Sequence, residues 1–318
     1  MFHSTIFKAI AVVATLTGTS ALAQTVAVGS NPQGSVAYAT AAAISSVVSD
    51  KTDLRMRVVP QGGPNVTLPL VNSGELEFSV SAALAVGFAQ QGRAMFKDRP
   101  QDGALMVGSM YNINVGIFVR EDSGITSLVD LKGRTASSEF NKQRVIGLMQ
   151  KAILATVGMS PGDLEGVPVP SGLRGVEDFI SGTVDAGIFT VTSGKVLEAN
   201  AAVGGIRWLG LPTTDEANAT LDKIAPGSFV EVLEPAENRP GITEPTGTFA
   251  NPFLLVAGAN TPDDVVYEVT KTLYENQAAL ATAGKAFAGF DPAAMAPDLG
   301  INIHPGALRF YKEVGLID

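Results

Sequence analysis

The sequence of 318 residues contains no cysteine, only two histidines and a single tryptophan. The lack of cysteine excludes disulfide bonds, a thiol nucleophile and any metal site built from thiolates. His3 lies in an N-terminal segment described below, so a serine hydrolase would depend on His304 alone. No G-x-S-x-G, H-E-x-x-H or calcium-loop motif is present. The sequence therefore favours a protein that is not an enzyme and has no cofactor.

Long hydrophobic runs are also absent, apart from a short one near the start. A weakly basic beginning, an apolar run over 9–16 and the A-x-A pattern of 21–23 predict a signal peptide, residues 1–23, cleaved after Ala23. The run is too short to cross a bilayer, which takes about 20 residues. We therefore expect an exported, periplasmic protein that does not itself span the membrane. The alternative is a buried N-terminal helix.

Basic residues are outnumbered, with 22 Lys and Arg against 31 Asp and Glu and a formal net charge of −9 at pH 7. Lys8 is the one charged residue of the predicted signal peptide, so the exported part is more acidic still. Nucleic acids and anionic membrane surfaces attract basic proteins, so this balance excludes nucleic acid as an expected partner.

The rest of the chain alternates short β-rich runs with amphipathic helical patterns, the rhythm of a largely parallel sheet with helices on both faces. Strands are predicted at 25–29, 55–60, 76–81, 104–110, 114–120, 134–138, 166–170, 185–189, 205–210 and 249–258. The rhythm restarts after Arg120, which predicts an α/β fold of two units. Residues 24–114 and 250–318 should form lobe I and residues 115–249 lobe II, with connections crossing near 112–116 and 247–251.

Glycine-rich turns follow the first two predicted strands. Open α/β sheets bind ligands beyond the carboxyl ends of their strands, where backbone N–H groups at helix N-termini can hold an anion. The predicted lobe I site comprises Ser30, Asn31, Gly34, Ser35, Gln61, Gly62, Gly63 and Asn65, with Ser81 at the end of the third strand. The alternative is that these residues only form turns. The first turn lacks the G-x-G-x-x-G order, so a dinucleotide site is not expected.

Two arginines stand at predicted helix starts in lobe II. Arg144 follows a cap at Asn141 by three positions, and Arg174 follows a cap at Ser171 by the same spacing. A cation there opposes the helix dipole at a cost of about 0.3–1 kcal/mol, which a bound carboxylate would offset. Arg144 is therefore predicted to anchor an acid, with Arg174 second. The alternative is that each arginine is solvated or pairs with a nearby acidic side chain.

Four further polar residues complete the predicted lobe II site. Ser138 ends a strand, Gln143 supports Arg144, and Thr190 and Ser193 follow the strand at 185–189. Capping of the next helix is the alternative role for Thr190 and Ser193.

Four segments together resemble one known family: "YNINVGIFVREDSGITSLVDLKGRTAS", "VDAGIFTVTSGKVLEANAAVGGIRWLGL", "TPDDVVYEVTKTLYENQAAL" and "HPGALRFYKEVG". They are similar to the TAXI family of solute receptors for tripartite ATP-independent periplasmic (TRAP) transporters. The resemblance implies a type II periplasmic-binding fold of the Venus flytrap kind, a ligand in the cleft between two lobes, and delivery to the integral-membrane subunits of a TRAP permease. It also implies a small organic anion, such as a carboxylate or an amino or oxo acid, as ligand.

The chain departs from the family where ligand contacts are expected. The Gly-Ser-Gly-Thr turn common at the start of the lobe II helix is replaced by the residues from Lys142 to Val145, which predicts side-chain contacts in place of backbone ones. Two other functions remain open: a periplasmic sensor subunit of the same fold, and a secreted enzyme using His304 or a carboxylate.

Overall fold

A computed structural model describes residues 24–318, so the predicted signal peptide lies outside the described residues. Its strands are β1 (Thr25–Ser30), β2 (Arg55–Pro60), β3 (Phe78–Ala82), β4 (Ala104–Arg120), β5 (Thr135–Ser138), β6 (Glu165–Pro168), β7 (Ala186–Thr190), β8 (Ile206–Leu209), β9 (Phe229–Leu233) and β10 (Thr246–Gly258). Its α-helices are α1 (Val36–Lys51), α2 (Pro64–Asn72), α3 (Ala83–Gln90), α4 (Arg144–Ala155), α5 (Gly172–Ile180), α6 (Gly194–Val203), α7 (Asp215–Ile224), α8 (Asp263–Glu275), α9 (Gln277–Ala283) and α10 (Pro305–Glu313).

The strands form one mixed sheet in the order β2-β1-β3-β10-β4-β7-β5-β6, with β8 on β4 and β9 on β10. β1 to β3 pair in parallel and form the first strand group, and β5 to β7 pair in parallel and form the second. Helices flank the sheet, so the predicted α/β class is confirmed. The arrangement is consistent with the predicted two-lobed type II fold.

Two long antiparallel strands, β4 and β10, join the strand groups. They pair from Ala104 opposite Gly258 to Val115 opposite Phe249. Beyond this point β4 continues against β7 and β8, and β10 continues against β9. The crossings predicted at 112–116 and 247–251 lie in these strands, while the lobe boundaries themselves stay a prediction.

Two sequence-based expectations about single elements were wrong, and two elements were missed. The segments 104–110 and 114–120, predicted as two strands, are the one strand β4, whose 17 residues continue through Asn112. α7 and β9 were not predicted at all. The cap predicted at Asn141 is also wrong, because Gln143 is the N-cap of α4.

The late start of α4 has a local cause. Glu139 and Phe140 have positive φ angles of 62° and 44°, and the Phe140 side chain is fully buried. Gln143 closes the turn by donating its N–H to the Phe140 carbonyl oxygen at 2.8 Å, and its φ of −137° and ψ of 57° lie outside the helical region. The helix therefore begins at Arg144, which is its first residue rather than its third.

Within residues 24–318, the structure contains no helix that is long and apolar enough to cross a membrane. The same residues contain no cluster of three or more acidic or histidine side chains able to hold a metal ion.

His304 lies in the core at the start of the last helix. Its side chain is fully buried, and its Nδ1 accepts a hydrogen bond of 3.1 Å from the Gly306 N–H, which caps α10. Burial lowers the pKa of His304, against the opposing effect of the nearby Asp263 carboxylate. The residue that a hydrolase would need thus has a structural role here.

This buried histidine predicts a pH dependence of stability. Unfolded His304 takes up a proton below a pKa of about 6.5, whereas the folded side chain resists protonation. The free energy of unfolding should therefore fall as the pH is lowered below about 6.5, by at most about 1.4 kcal/mol per pH unit. His304→Asn keeps a capping acceptor and should remove this decline in urea unfolding curves. An identical decline in the variant would contradict the assignment.

Candidate functional site

A small cavity of about 40 Å³ lies between the two strand groups, and we call it the central cavity. It is lined by Asn31, Ser35, Val36, Ala37, Pro64, Val80, Ala82, Ile113, Val115, Gln143, Val145, Ile146, Met149, Phe189, Thr190 and Phe253. These residues come from both strand groups and from the crossing strands β4 and β10. Most are apolar, and the polar ones are Asn31, Ser35, Gln143 and Thr190. The cavity is therefore suited to a small ligand with a hydrocarbon part.

Gln143 and Ser35 are the most buried polar residues of this lining, each with 5% of its surface exposed. Gln143 Oε1 accepts a hydrogen bond of 3.0 Å from the Gly172 N–H at the start of α5. Within the described part of the chain, its Nε2 makes no hydrogen bond to protein. The side chain is thus fixed at one end and has a free donor at the cavity.

Four helices begin around Gln143. Ser35 caps α1 and accepts from the Tyr38 N–H at 3.2 Å, and Gln143 is itself the N-cap of α4. Ser171 caps α5, as predicted, while α2 starts after Gly63. Each helix N-terminus has a partial positive charge of about half an elementary charge. The end of the cavity near Gln143 is therefore electropositive, although no cationic side chain lines the cavity.

Gly63 brings the turn after β2 close to Gln143. Its φ of +121° is accessible only to glycine, and a Cβ there would lie 3.4 Å from Gln143 Cγ and 3.5 Å from Asn31 Oδ1. Asn65 Oδ1, near the same point, is buried and has no hydrogen-bond partner among the described residues. Three carboxamides, from Asn31, Asn65 and Gln143, thus surround this glycine with part of their hydrogen-bonding capacity unused.

Turns from the two strand groups touch each other beside the cavity. Ser193, the N-cap of α6, donates a hydrogen bond of 3.1 Å to the Gly34 carbonyl oxygen. A Cβ on Gly62 would lie 3.3 Å from the Lys142 carbonyl oxygen. The predicted residues Gly34, Gly62 and Ser193 therefore lie where the two groups meet.

Four other predicted polar residues lie away from the lining. Ser30 is fully buried and donates to the Asn31 carbonyl oxygen, and Gln61 is half-buried in the turn after β2. Ser81 lies between the lining residues Val80 and Ala82, so strand alternation directs its side chain to the opposite face of the sheet. Ser138 faces Gly166 on β6.

The two predicted arginines also lie outside the lining. Arg144 is exposed and is the first residue of α4, so the capping-box argument for it fails. Arg174 forms a salt bridge of 2.8 Å with Asp178, which was the alternative role considered for it. Their contact with a ligand stays a prediction.

Sequence reasoning missed the apolar residues of the lining. Val145, Ile146 and Met149 lie on one face of α4, and their helical spacing was apparent in the sequence. Such spacing shows that a face is buried and does not distinguish a packed core from a ligand cavity.

Solved structures of other proteins match this chain over most of its length. An alkanesulfonate-binding protein, SsuA from Xanthomonas axonopodis pv. citri, solved with MOPS, is 17% identical with a TM-score of 0.53 over 91% of this chain and 83% of its own. PhnD1 from Prochlorococcus marinus (MIT 9301), in complex with methylphosphonate, is 13% identical with a TM-score of 0.56 over 92% and 99%. Rpa4515 from R. palustris, with adipate, is 16% identical with a TM-score of 0.57 over 92% and 94%.

At these identities the likeness establishes the fold, which is that of periplasmic solute-binding proteins. A family model described as the NMT1-like family matches residues 28–315. The chain therefore belongs to the NMT1-like family.

Proposed function

We propose that this protein is an exported solute receptor that binds a small organic acid in the central cavity and delivers it to a membrane permease. The observation that supports this most is Gln143, which lines the cavity where four helices begin and whose Nε2 makes no hydrogen bond among the described residues. A carboxylate at this position would accept that N–H and would be stabilised by the helix dipoles.

The rest of the lining fits the hydrocarbon part of such an acid. Val36, Val80, Val145 and Phe189 present apolar surface from both strand groups. Burial of each methylene contributes about 0.8 kcal/mol, and a micromolar dissociation constant needs about 8 kcal/mol in all. A carboxylate that accepts several N–H hydrogen bonds, together with a short buried carbon chain, reaches that free energy of binding.

The fold neighbours point to the same ligand class. SsuA is described as an alkanesulfonate-binding protein, and the other two were solved with methylphosphonate and with adipate. Each of these names combines an acid group with a carbon chain or methyl group. Their fold is shared with this chain, and we extend their ligand class to it as part of the proposal.

The partner we propose is the integral-membrane part of a TRAP permease, on the family resemblance of the sequence to TAXI receptors. Export by the signal peptide 1–23 would place the receptor in the periplasm. Lobe I (24–114 and 250–318) and lobe II (115–249) would close on the ligand about the crossings in β4 and β10. Closure would present the occupied receptor to the permease.

A thermal-shift screen tests the ligand class. The purified protein should be stabilised by mono- or dicarboxylates with short carbon chains, because a ligand of the native state alone raises its stability. The corresponding alcohols and amines should have no effect. Stabilisation by amines alone would reject the acid proposal. Arg144→Gln and Arg174→Gln test the arginine prediction in the same assay.

Closure predicts a second measurable change. With the acid found in the screen, small-angle scattering should show a smaller radius of gyration than without it.

Ser193→Ala removes the bond to Gly34 and should weaken binding about fivefold, since a hydrogen bond contributes about 1 kcal/mol. Thr214→Ala, which removes only the cap of α7, should leave affinity unchanged. Equal affinities of the two variants would contradict a role of the Ser193 bond in closure.

A further inference from the structure

A second cavity adjoins the central one. It has a volume of about 450 Å³, and we call it the side chamber. Ile113 and Thr190 line both cavities. Tyr111, which lines the side chamber, stacks on Phe253 of the central cavity with ring centroids 5.6 Å apart. The two cavities therefore share this wall, and the side chamber is the space beside the central cavity that a longer ligand could use.

The side chamber contains two cations without an acidic partner. Arg239 donates from Nη1 to the Glu234 carbonyl oxygen at 2.9 Å, while its Nε is buried and makes no hydrogen bond among the described residues. Lys285 lies at the exposed rim. In residues 24–318 neither side chain forms a salt bridge.

The carboxylates of the chamber already have donors. Glu231 Oε2 accepts a hydrogen bond of 2.8 Å from Asn114 Nδ2, and Asp291 Oδ1 accepts one of 3.0 Å from the Ala293 N–H. The formal charges of the chamber balance, but among the described residues the cationic groups of Arg239 and Lys285 have no carboxylate partner. Arg239 is half-buried, and a guanidinium without an acidic partner binds a carboxylate or another oxyanion through its outer N–H groups.

We propose that the ligand is a diacid, with one acid group at Gln143 and the second bound by Arg239 in the side chamber. This rests on the proposed function and adds the class of its ligand. The carbon chain between the acid groups passes Ile113 and Thr190, where the two cavities meet. Lys285 attracts the second acid group from the rim. The site thus selects for a second negative charge, which the central cavity alone does not.

Matched pairs of acids test this proposal. Succinate, adipate and suberate are each compared by titration calorimetry with the monoacid of the same length: butanoate, hexanoate and octanoate. In at least one pair the diacid should bind about 10-fold or more tightly than the monoacid, as expected for a buried charged hydrogen bond. Arg239→Gln should remove that difference and leave the monoacid affinity within about twofold.

Two further variants guard against indirect effects. Arg239→Lys keeps the charge and should retain part of the preference for the diacid, and the thermal stability of the unliganded variants shows whether the loop around residue 239 still folds. Arg309→Gln, which removes a guanidinium paired with Asp264 outside both cavities, should not change the preference. If the monoacids and diacids bind the wild type and Arg239→Gln with the same ratio, Arg239 does not hold a second acid group. If no acid of any kind binds the wild type, the proposed function itself fails.

Discussion

Replacing Gln143 by Glu should weaken the binding of an acid about 1,000-fold while leaving the fold intact. The substitution is nearly isosteric, and a Glu oxygen can still accept the hydrogen bond that Gly172 N–H donates at 3.0 Å. The N-termini of α4 and α5 favour the ionised form of the new side chain. Its second oxygen then directs a negative charge at the position where we place the carboxylate of the ligand.

The size of this effect follows from Coulomb repulsion. Two like charges about 4 Å apart interact by about 4 kcal/mol at the effective dielectric typical of protein sites, and each 1.4 kcal/mol is about a tenfold change in affinity. Titration calorimetry with the acid found in the thermal-shift screen measures it. Thermal unfolding of the unliganded variant should be within a few degrees of the wild type.

Gln143→Met is the matched control for the charge. It removes the donor without adding charge, so acid binding should weaken only about 10-fold, the contribution of one hydrogen bond to a charged group. It also leaves the Gly172 N–H unpaired and should lower the free energy of unfolding by about 1–3 kcal/mol. A Glu variant that binds the acid as well as the Met variant would show that no anion lies near residue 143.

The order of elements was largely predictable because each helix or strand has its own hydrophobic periodicity in the sequence. The strand at 25–29 and the helix that follows it were identified from pattern alone, and the turn between them supplies Asn31 and Ser35 to the central cavity. The carboxyl ends of parallel strands meet at one sheet edge. For this reason a sequence rule located part of the site without any knowledge of contacts.

The errors in predicting β4 and Arg239 arose at residues that line a cavity instead of packing in the core. β4 was divided into two strands at 111–113, where Asn112 interrupts its apolar pattern. Asn112 lines the side chamber together with Asn114, whose Nδ2 donates to Glu231 Oε2 at 2.8 Å. Arg239 was not identified, since it lies in a Pro- and Gly-rich loop and meets the rest of the chamber only through the tertiary fold. Local sequence contains no signal for such a contact.

The start of α4 illustrates a different limit. Asn141 is a good capping residue by type, and nothing in its neighbours excludes a helix. In the structure the chain instead forms a turn through the fully buried Phe140 up to Gln143. A capping preference of about 1 kcal/mol is small enough for tertiary packing to override. The N-cap of α4 is therefore Gln143 instead of Asn141. For the same reason the main ligand contact that we propose is Gln143 instead of Arg144.

Asn251→Ala should be the most destabilising of the substitutions considered. Asn251 is fully buried in β10, and its Oδ1 accepts a hydrogen bond of 3.1 Å from the Leu84 N–H in the first turn of α3. The N-cap of that helix, Ala82, has no side chain able to cap it. On its other side, Asn251 Nδ2 donates to Ser228 Oγ at 3.1 Å. One carboxamide therefore links a crossing strand to α3 and to the turn before β9.

Truncation to alanine leaves these partners unpaired in the core and creates a small void. Each buried group without a partner costs about 1–3 kcal/mol, so the free energy of unfolding should fall by about 3–5 kcal/mol in urea titrations. Asn276→Ala is the matched control, because Asn276 Nδ2 donates only to the Thr272 carbonyl oxygen one helical turn away. That loss should be below about 1 kcal/mol. If both alanine variants lost the same stability, the bridging position of Asn251 would be irrelevant, and β10 would hold α3 by apolar packing alone.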